Sequence, residues 1–86
     1  MTFDSLTFIK DTKTGVVRSR TRIGEYQLSV IKYPERLYEA AIIDDATNFV
    51  VLPGFPYAEN DTVMPGLEPE QVTGIMHKLQ CIAGPQ

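Results

Sequence analysis

The spacing of apolar side chains changes once along the chain. From Phe3 to about Pro53, apolar residues recur mostly at every second position, which is the period of a β-strand. From Pro69 to Ala83 they recur every three or four residues, which is the period of an α-helix. The pattern predicts an α+β fold: an antiparallel meander of about four to five strands, with one C-terminal amphipathic helix packed on one face.

Turn residues divide the first part of the chain. A strand is predicted to begin at Phe3 and to end at the turn residues 11–15, where a hairpin follows. Gly24 is either a tight turn or a bulge within one long strand that continues to Tyr33. Pro34 and Glu35 suit the middle of a type I turn.

Residues 53–67 are predicted to form a long loop between the sheet and the helix. They include three prolines and two glycines, together with Phe55, Tyr57 and Met64. Loops of this length are uncommon in a compact domain and are often functional. We expect the apolar side chains to cover an open end of the sheet, and the alternative is a binding loop with these three residues as its contacts.

The helix at 69–83 is the clearest prediction. Pro69 fits its first turn, Glu68 and Glu70 favour the positive end of the helix dipole, and Gly84-Pro85 is a stop signal. An apolar stripe about 120° wide suits packing on a sheet. Its members are Val72, Ile75, Met76, Leu79, Ile82 and Ala83.

Length and composition favour one domain spanning residues 1–86. The hydrophobic fraction of 43% and charged fraction of 22% are ordinary for a globular protein. The single cysteine, Cys81, excludes an intrachain disulfide. The first residues lack an export signal, and the longest uncharged stretch, 46–58, is too short to cross a bilayer. We therefore expect a cytoplasmic protein without a membrane segment.

Charge is distributed unevenly along the chain. Residues 1–36 carry seven basic and four acidic side chains, whereas residues 37–86 carry one basic and seven acidic side chains. The sharpest pattern is Arg18, Arg20 and Arg22, whose spacing places three guanidinium groups on one face of a strand. Such a row can bind phosphates, nucleic acid or an acidic protein surface. The alternative is a strand charged against aggregation.

The sequence offers no catalytic or cofactor-binding group. His77 and Cys81 are the only histidine and cysteine, and two ligands are too few for a metal site within one chain. Asp44 and Asp45 are explained by turn chemistry, and no phosphate-binding glycine motif occurs. We predict no catalytic residue, no metal and no cofactor.

The back of the predicted helix carries small and polar residues. Gly74, His77 and Cys81 lie opposite the apolar stripe at spacings of three and four residues. A glycine inside a helix costs about 0.8–1 kcal/mol relative to alanine. It is either simply tolerated or required by the close approach of a partner helix, so these residues form a candidate oligomer face of a homodimer.

Three segments resemble small uncharacterised proteins of tailed bacteriophages. They are GEYQLSVI at 24–31, LYEAAIID at 37–44 and DTVMPGLEPEQVTGIMHKL at 61–79. In that family, a Gly-aromatic-x-Leu-Ser-Val strand, a Tyr-Glu-x-Ala strand and a Leu-x-Pro-Glu-x-Val helix occur in this order. The chain departs from it at Glu68, where such helices carry a serine or threonine cap. The resemblance implies a setting in the cytoplasm of a host bacterium and supplies no catalytic residue.

These observations favour a non-catalytic interaction protein. Its partner would be a host protein, for example a defence complex or a nucleic-acid enzyme that it blocks or redirects. The second hypothesis is a binder of nucleic acid or a nucleotide through the arginine row, although a pI of about 4.9 argues against general affinity for nucleic acid. An enzyme is the least favoured hypothesis.

Overall fold

The computed structural model describes residues 1–83, and it confirms the α+β fold with an antiparallel sheet and a C-terminal helix. The stop signal predicted at Gly84-Pro85 lies outside the described residues. A short 3₁₀ helix covers Phe3–Ser5. The other elements are β1 (Ile9–Lys10), β2 (Val17–Ile23), β3 (Tyr26–Lys32), β4 (Tyr38–Ile43), β5 (Phe49–Val50), β6 (Val63–Leu67) and α1 (Pro69–Ala83).

The first five strands form an antiparallel meander in the order β1-β2-β3-β4-β5. β6 also pairs with β4, on the edge that β5 occupies. Val50 lies opposite Ile42, and Val63 lies opposite Ala41, the next residue of β4. β5 and β6 are therefore two parts of one interrupted strand, from which residues 51–62 leave and to which they return.

The prediction of a loop throughout 53–67 is wrong at its C-terminal end, where β6 forms. Pro65 and Gly66 obscure the strand in the sequence because both are unusual inside a sheet. Here they lie at a bulge, where three residue steps of β6 match two of β4, and Gly66 has a φ of 67°. Met64 and Leu67, on either side of it, are buried in the core.

The prediction of a strand beginning at Phe3 is also wrong, since β1 holds only two residues. The apolar residues before β1 instead pack against other parts of the protein. The rings of Phe3 and Phe8 lie 4.9 and 5.8 Å from that of Tyr38. The backbone N–H of Phe3 donates to Thr73 Oγ1 at 2.9 Å, which fixes the N-terminal segment beside α1.

Backbone angles identify the turns at Gly24 and at Pro34-Glu35. Gly24 and Glu25 form a two-residue hairpin turn between β2 and β3, and Gly24 has the positive φ (62°) that the first position of a type II′ turn requires. The predicted type I turn at Pro34-Glu35 is wrong, because Glu35 has a φ of 61°. A positive φ at that position is typical of a type II turn.

The core lies between α1 and one face of the sheet. Strand alternation directs Leu28, Val30 and Ile42 toward the helix, and all three are fully buried. Four residues of the predicted helical stripe meet them: Val72, Ile75, Met76 and Leu79. Ile82, which the periodicity assigns to the same stripe, is 46% exposed because it lies in the last turn of α1. The Gln71 side chain accepts from the Glu68 N–H at 2.8 Å, which supplies part of the missing helix cap.

Replacement of Met64 tests whether β6 belongs to the core. Because its side chain is fully buried, we expect Met64→Ala to lower the free energy of unfolding by about 2–5 kcal/mol. Val51→Ala, at a side chain that is 60% exposed, should change it by less than about 0.5 kcal/mol. Urea denaturation measures both, and equal effects would contradict the placement of β6.

Candidate interaction surface

The sheet face opposite α1 carries side chains that no helix of residues 1–83 covers, and we refer to it as the open face. The pairing register determines its members, because directly opposed residues share a face. Arg20 lies opposite Ser29, which lies opposite Ala41. The open face consists of Ile9, Arg18, Arg20, Arg22, Gln27, Ser29, Ile31, Glu39, Ala41, Ile43, Phe49 and Val63.

Two adjoining depressions lie on the open face. The first has a volume of about 420 Å³ and extends along β2 past Thr7 and Ile9. The second, of about 230 Å³, is lined by Phe49 and other residues toward β4. Arg20 and Ile31 line both. Ile9 is 72% and Phe49 is 58% exposed, so apolar surface lies on both sides of a cationic residue.

The structure places the three arginines of the row on this face, and all three are exposed. Their surroundings differ. Arg22 donates to Asp45 Oδ1 at 2.5 Å in an exposed salt bridge, an arrangement that contributes at most about 1 kcal/mol. Within residues 1–83, Arg18 and Arg20 form no salt bridge. Glu39 lines the second depression with Arg20 without pairing with it.

Asp11 offsets part of the charge of Arg18. The backbone N–H groups of Lys13 and Thr14 donate to its carboxylate at 2.9 and 3.4 Å, and these bonds lower the pKa of Asp11. The positive charge of Arg18 lowers this pKa further, to a smaller extent. Asp11 is therefore ionised at neutral pH, and Glu39 is the acidic residue that shares a depression with Arg20.

The candidate binding loop is instead packed against the protein itself. Met64 is fully buried, so its prediction as a binding contact is wrong. Tyr57 is half-buried, and its hydroxyl accepts from the Leu52 N–H and donates to the Val50 carbonyl, both at 3.2 Å. Phe55 is half-buried and packs against the core. These contacts support the reading of the segment as a cover for one end of the sheet.

Lys78 joins the same segment to α1. Its ammonium group lies 5.2 Å from the centre of the Phe55 ring and donates to the Gly54 carbonyl. A cation over an aromatic ring at an exposed site contributes about 0.5–1 kcal/mol. Lys78, the single basic residue of 37–86, thus joins the segment 51–62 to α1.

The candidate oligomer face lies on the back of α1. Gly74, His77 and Cys81 are all exposed. His77 Nε2 lies 2.8 Å from the Met1 carbonyl oxygen. Within residues 1–83, no three His, Cys, Asp or Glu side chains are arranged to hold a metal ion. A Cβ atom added at Gly74 would meet no atom within 4 Å, so packing within the chain does not require this glycine.

Sequence reasoning missed three apolar members of the open face, Ile9, Ile31 and Phe49. Ile31 and Phe49 were apolar residues of predicted strands, but their face depends on pairings between strands. Ile9 was assigned to a longer strand that does not form. The alternation of Ser29 and Ile31 with Leu28 and Val30 is the signal that separates the two faces of β3.

Replacement of Gly74 tests the candidate oligomer face. Because the position is open and helical, we expect Gly74→Ala to raise the free energy of unfolding by about 0.8–1 kcal/mol. Gly66→Ala is the matched control, since it has equal space but a φ of 67°, and it should lower stability by about 1–2 kcal/mol. Loss of stability in Gly74→Ala, with loss of a dimer in sedimentation, would show that a second copy packs there.

The chain was compared with protein families and individual proteins. Neither the family models, nor the curated proteins, nor the solved structures gave a significant match. Among residues 1–83, no helix combines the length and apolar character needed to span a bilayer.

Proposed function

We propose that the protein is a non-catalytic interaction protein that binds a host protein through the open face and thereby modulates or inhibits it. One observation carries the proposal. Among residues 1–83, a sheet face without a covering helix combines exposed apolar side chains, Ile9 and Phe49, with Arg18 and Arg20, which form no salt bridge there. Surfaces of this kind mark sites where a protein meets a partner.

The composition of the open face supports a protein partner. Interface centres are enriched in aromatic residues and arginine and depleted in lysine and acidic residues. Phe49 and Tyr33 line the second depression with Arg20, and Glu39 is the single acidic side chain lining either depression.

The topology places part of the acidic charge away from the arginine row, whereas Glu39 and Asp45 lie beside it. β2, with its three arginines, lies near one edge of the sheet, whereas β6 lies at the opposite edge. The acidic residues around β6 and the start of α1 are Glu59, Asp61, Glu68 and Glu70. A dipolar surface orients an approaching partner, and it favours an acidic surface at the β2 side.

The side chains of highest chemical reactivity support a role other than catalysis. His77 contacts the Met1 carbonyl and Cys81 is exposed on the back of α1, far from the two depressions. A nucleophile needs a base within hydrogen-bond reach, and neither depression is lined by a histidine or cysteine. The bacteriophage resemblance adds the setting, the cytoplasm of a host bacterium.

Capture from bacterial lysate tests the proposal through the open face itself. The variant Ile9→Ser with Phe49→Ser removes two exposed apolar side chains from this face. The matched control, Val51→Ser with Ile82→Ser, removes two exposed apolar side chains that line neither depression. We expect the wild type and the control to retain the same host protein and the open-face variant to lose it, as measured by quantitative mass spectrometry.

Equal recovery of a host protein by all three baits would exclude the open face as its binding site. Recovery of each bait alone at every salt concentration would overturn the proposed function. All four positions are exposed, so the variants should fold, and circular dichroism verifies this.

A second function, binding of nucleic acid or a nucleotide, is favoured by one feature. Arg18 and Arg20 line the first depression with the hydroxyl-bearing residues Thr7 and Ser29. Guanidinium and hydroxyl groups are donors to phosphate oxygens. A row of separate guanidinium groups suits successive phosphates of a strand better than one phosphate ion.

Salt dependence tests this second function. If each arginine contacts one phosphate of a single strand, Arg18→Gln with Arg20→Gln should reduce the slope of log K against log salt by about 1.4. Lys13→Gln with Arg36→Gln removes the same charge from exposed turn positions and should leave the slope unchanged. Fluorescence anisotropy with a labelled oligonucleotide measures both. Absence of binding by the wild type at low salt would exclude this function.

A further inference from the structure

The outer edge of β2 is largely unpaired. β1 covers only Val17 and Arg18, so the edge from Ser19 to Ile23 has no neighbouring strand within residues 1–83. In the N-terminal segment, Thr7 lines the first depression with Ser19 and Arg20, while the Phe8 ring packs against Tyr38. No backbone hydrogen bond joins residues 1–8 to this part of β2. Five residues of edge are therefore available to another chain.

The direction of the free backbone groups follows from the hairpin turn. Because only two residues separate Ile23 from Tyr26, these two form a hydrogen-bonded pair, and every second residue of β2 bonds to β3. The intervening residues direct N–H and C=O outward. The Val16 carbonyl, which accepts from Asp11 N–H at 2.8 Å on that side, follows the same alternation. Arg20 and Arg22 thus present free backbone groups at the edge.

We propose that the β2 edge accepts an extended acidic segment of the partner protein as an added antiparallel strand, in line with β1. The proposal rests on the proposed function and specifies its partner. The backbone of Arg20 and Arg22 would pair with the segment, while acidic side chains at alternate positions lie against the guanidinium groups on the open face. The first depression, lined by Thr7, Arg18 and Arg20, receives the side chains at the start of the segment.

Charge complementarity selects this occupant over a second copy of the chain. Pairing of two β2 edges would bring arginine rows together on one face, and like charges across a ladder are unfavourable. An acidic segment instead meets Arg20, which forms no salt bridge in the part of the chain that the structure describes, and competes with Asp45 for Arg22. Arginines at an edge also discourage uncontrolled pairing with neutral strands, so the same residues restrict the edge to acidic segments.

Amide hydrogen exchange of the full chain, followed by NMR, tests the proposal. The probe is a seven-residue peptide of alternating threonine and glutamate. In the free protein, the amides of Arg20 and Arg22 should exchange at least about tenfold faster than that of Thr21, which bonds to β3. Saturating peptide should slow both by at least about tenfold. A peptide with lysine in place of glutamate, and one N-methylated at alternate amides, should have no effect.

Matched variants separate charge from backbone pairing. Arg18→Gln with Arg20→Gln should weaken peptide binding by about tenfold or more, whereas Lys13→Gln with Arg36→Gln should change it less than about threefold. Unchanged exchange at Arg20 and Arg22 under saturating peptide would overturn strand addition, and so would protection in the free protein that increases with concentration, since a second copy would then occupy the edge. The proposed function survives these failures if capture of the host protein still depends on Ile9 and Phe49.

Discussion

Burial of one sheet face beneath α1 is the interaction on which the rest of the structure depends. The 15-residue helix α1 is about 22 Å long, and its buried residues Val72, Ile75, Met76 and Leu79 pack on this one face. Met76 and Leu79 are fully buried against Leu28 and Ile42 across this contact. The opposite face has no second helix within residues 1–83, and what it displays depends on the side chains that strand alternation places there.

β4 connects the parts of this arrangement because both of its edges are paired. β3 occupies one edge, and the interrupted strand formed by β5 and β6 occupies the other. The interruption allows residues 51–62 to fold over the end of the core, where Tyr57 bonds to the backbone and Lys78 lies over Phe55. The segment 51–62 therefore has a structural role. Aromatic residues in a loop rich in proline suggest binding, but here their contacts are internal.

Helices and strands are predicted correctly where one spacing of apolar residues persists. The prediction fails where tertiary packing overrides that spacing. The helix at 69–83 is predicted with its bounds, since α1 repeats its apolar residues over four turns. β6 was missed because Pro65 and Gly66 break the alternation, and only the bulge opposite β4 accommodates them. The arginine row could be placed on one strand face from its spacing, but its neighbours on the open face could not, because register depends on contacts between distant residues.

The arginine row has two effects that follow from one position in the fold. If the row lay on an inner strand, whose backbone groups are all paired, its three guanidinium groups would affect only the open face. On β2 they lie beside free backbone groups, because only two residues of the N-terminal part, Ile9 and Lys10, pair with this strand. An edge of that kind is prone to pair with other chains, and positive charge makes most such pairings unfavourable. The same charge makes pairing with an acidic strand favourable, so protection from aggregation and selection of a partner are consequences of a single arrangement.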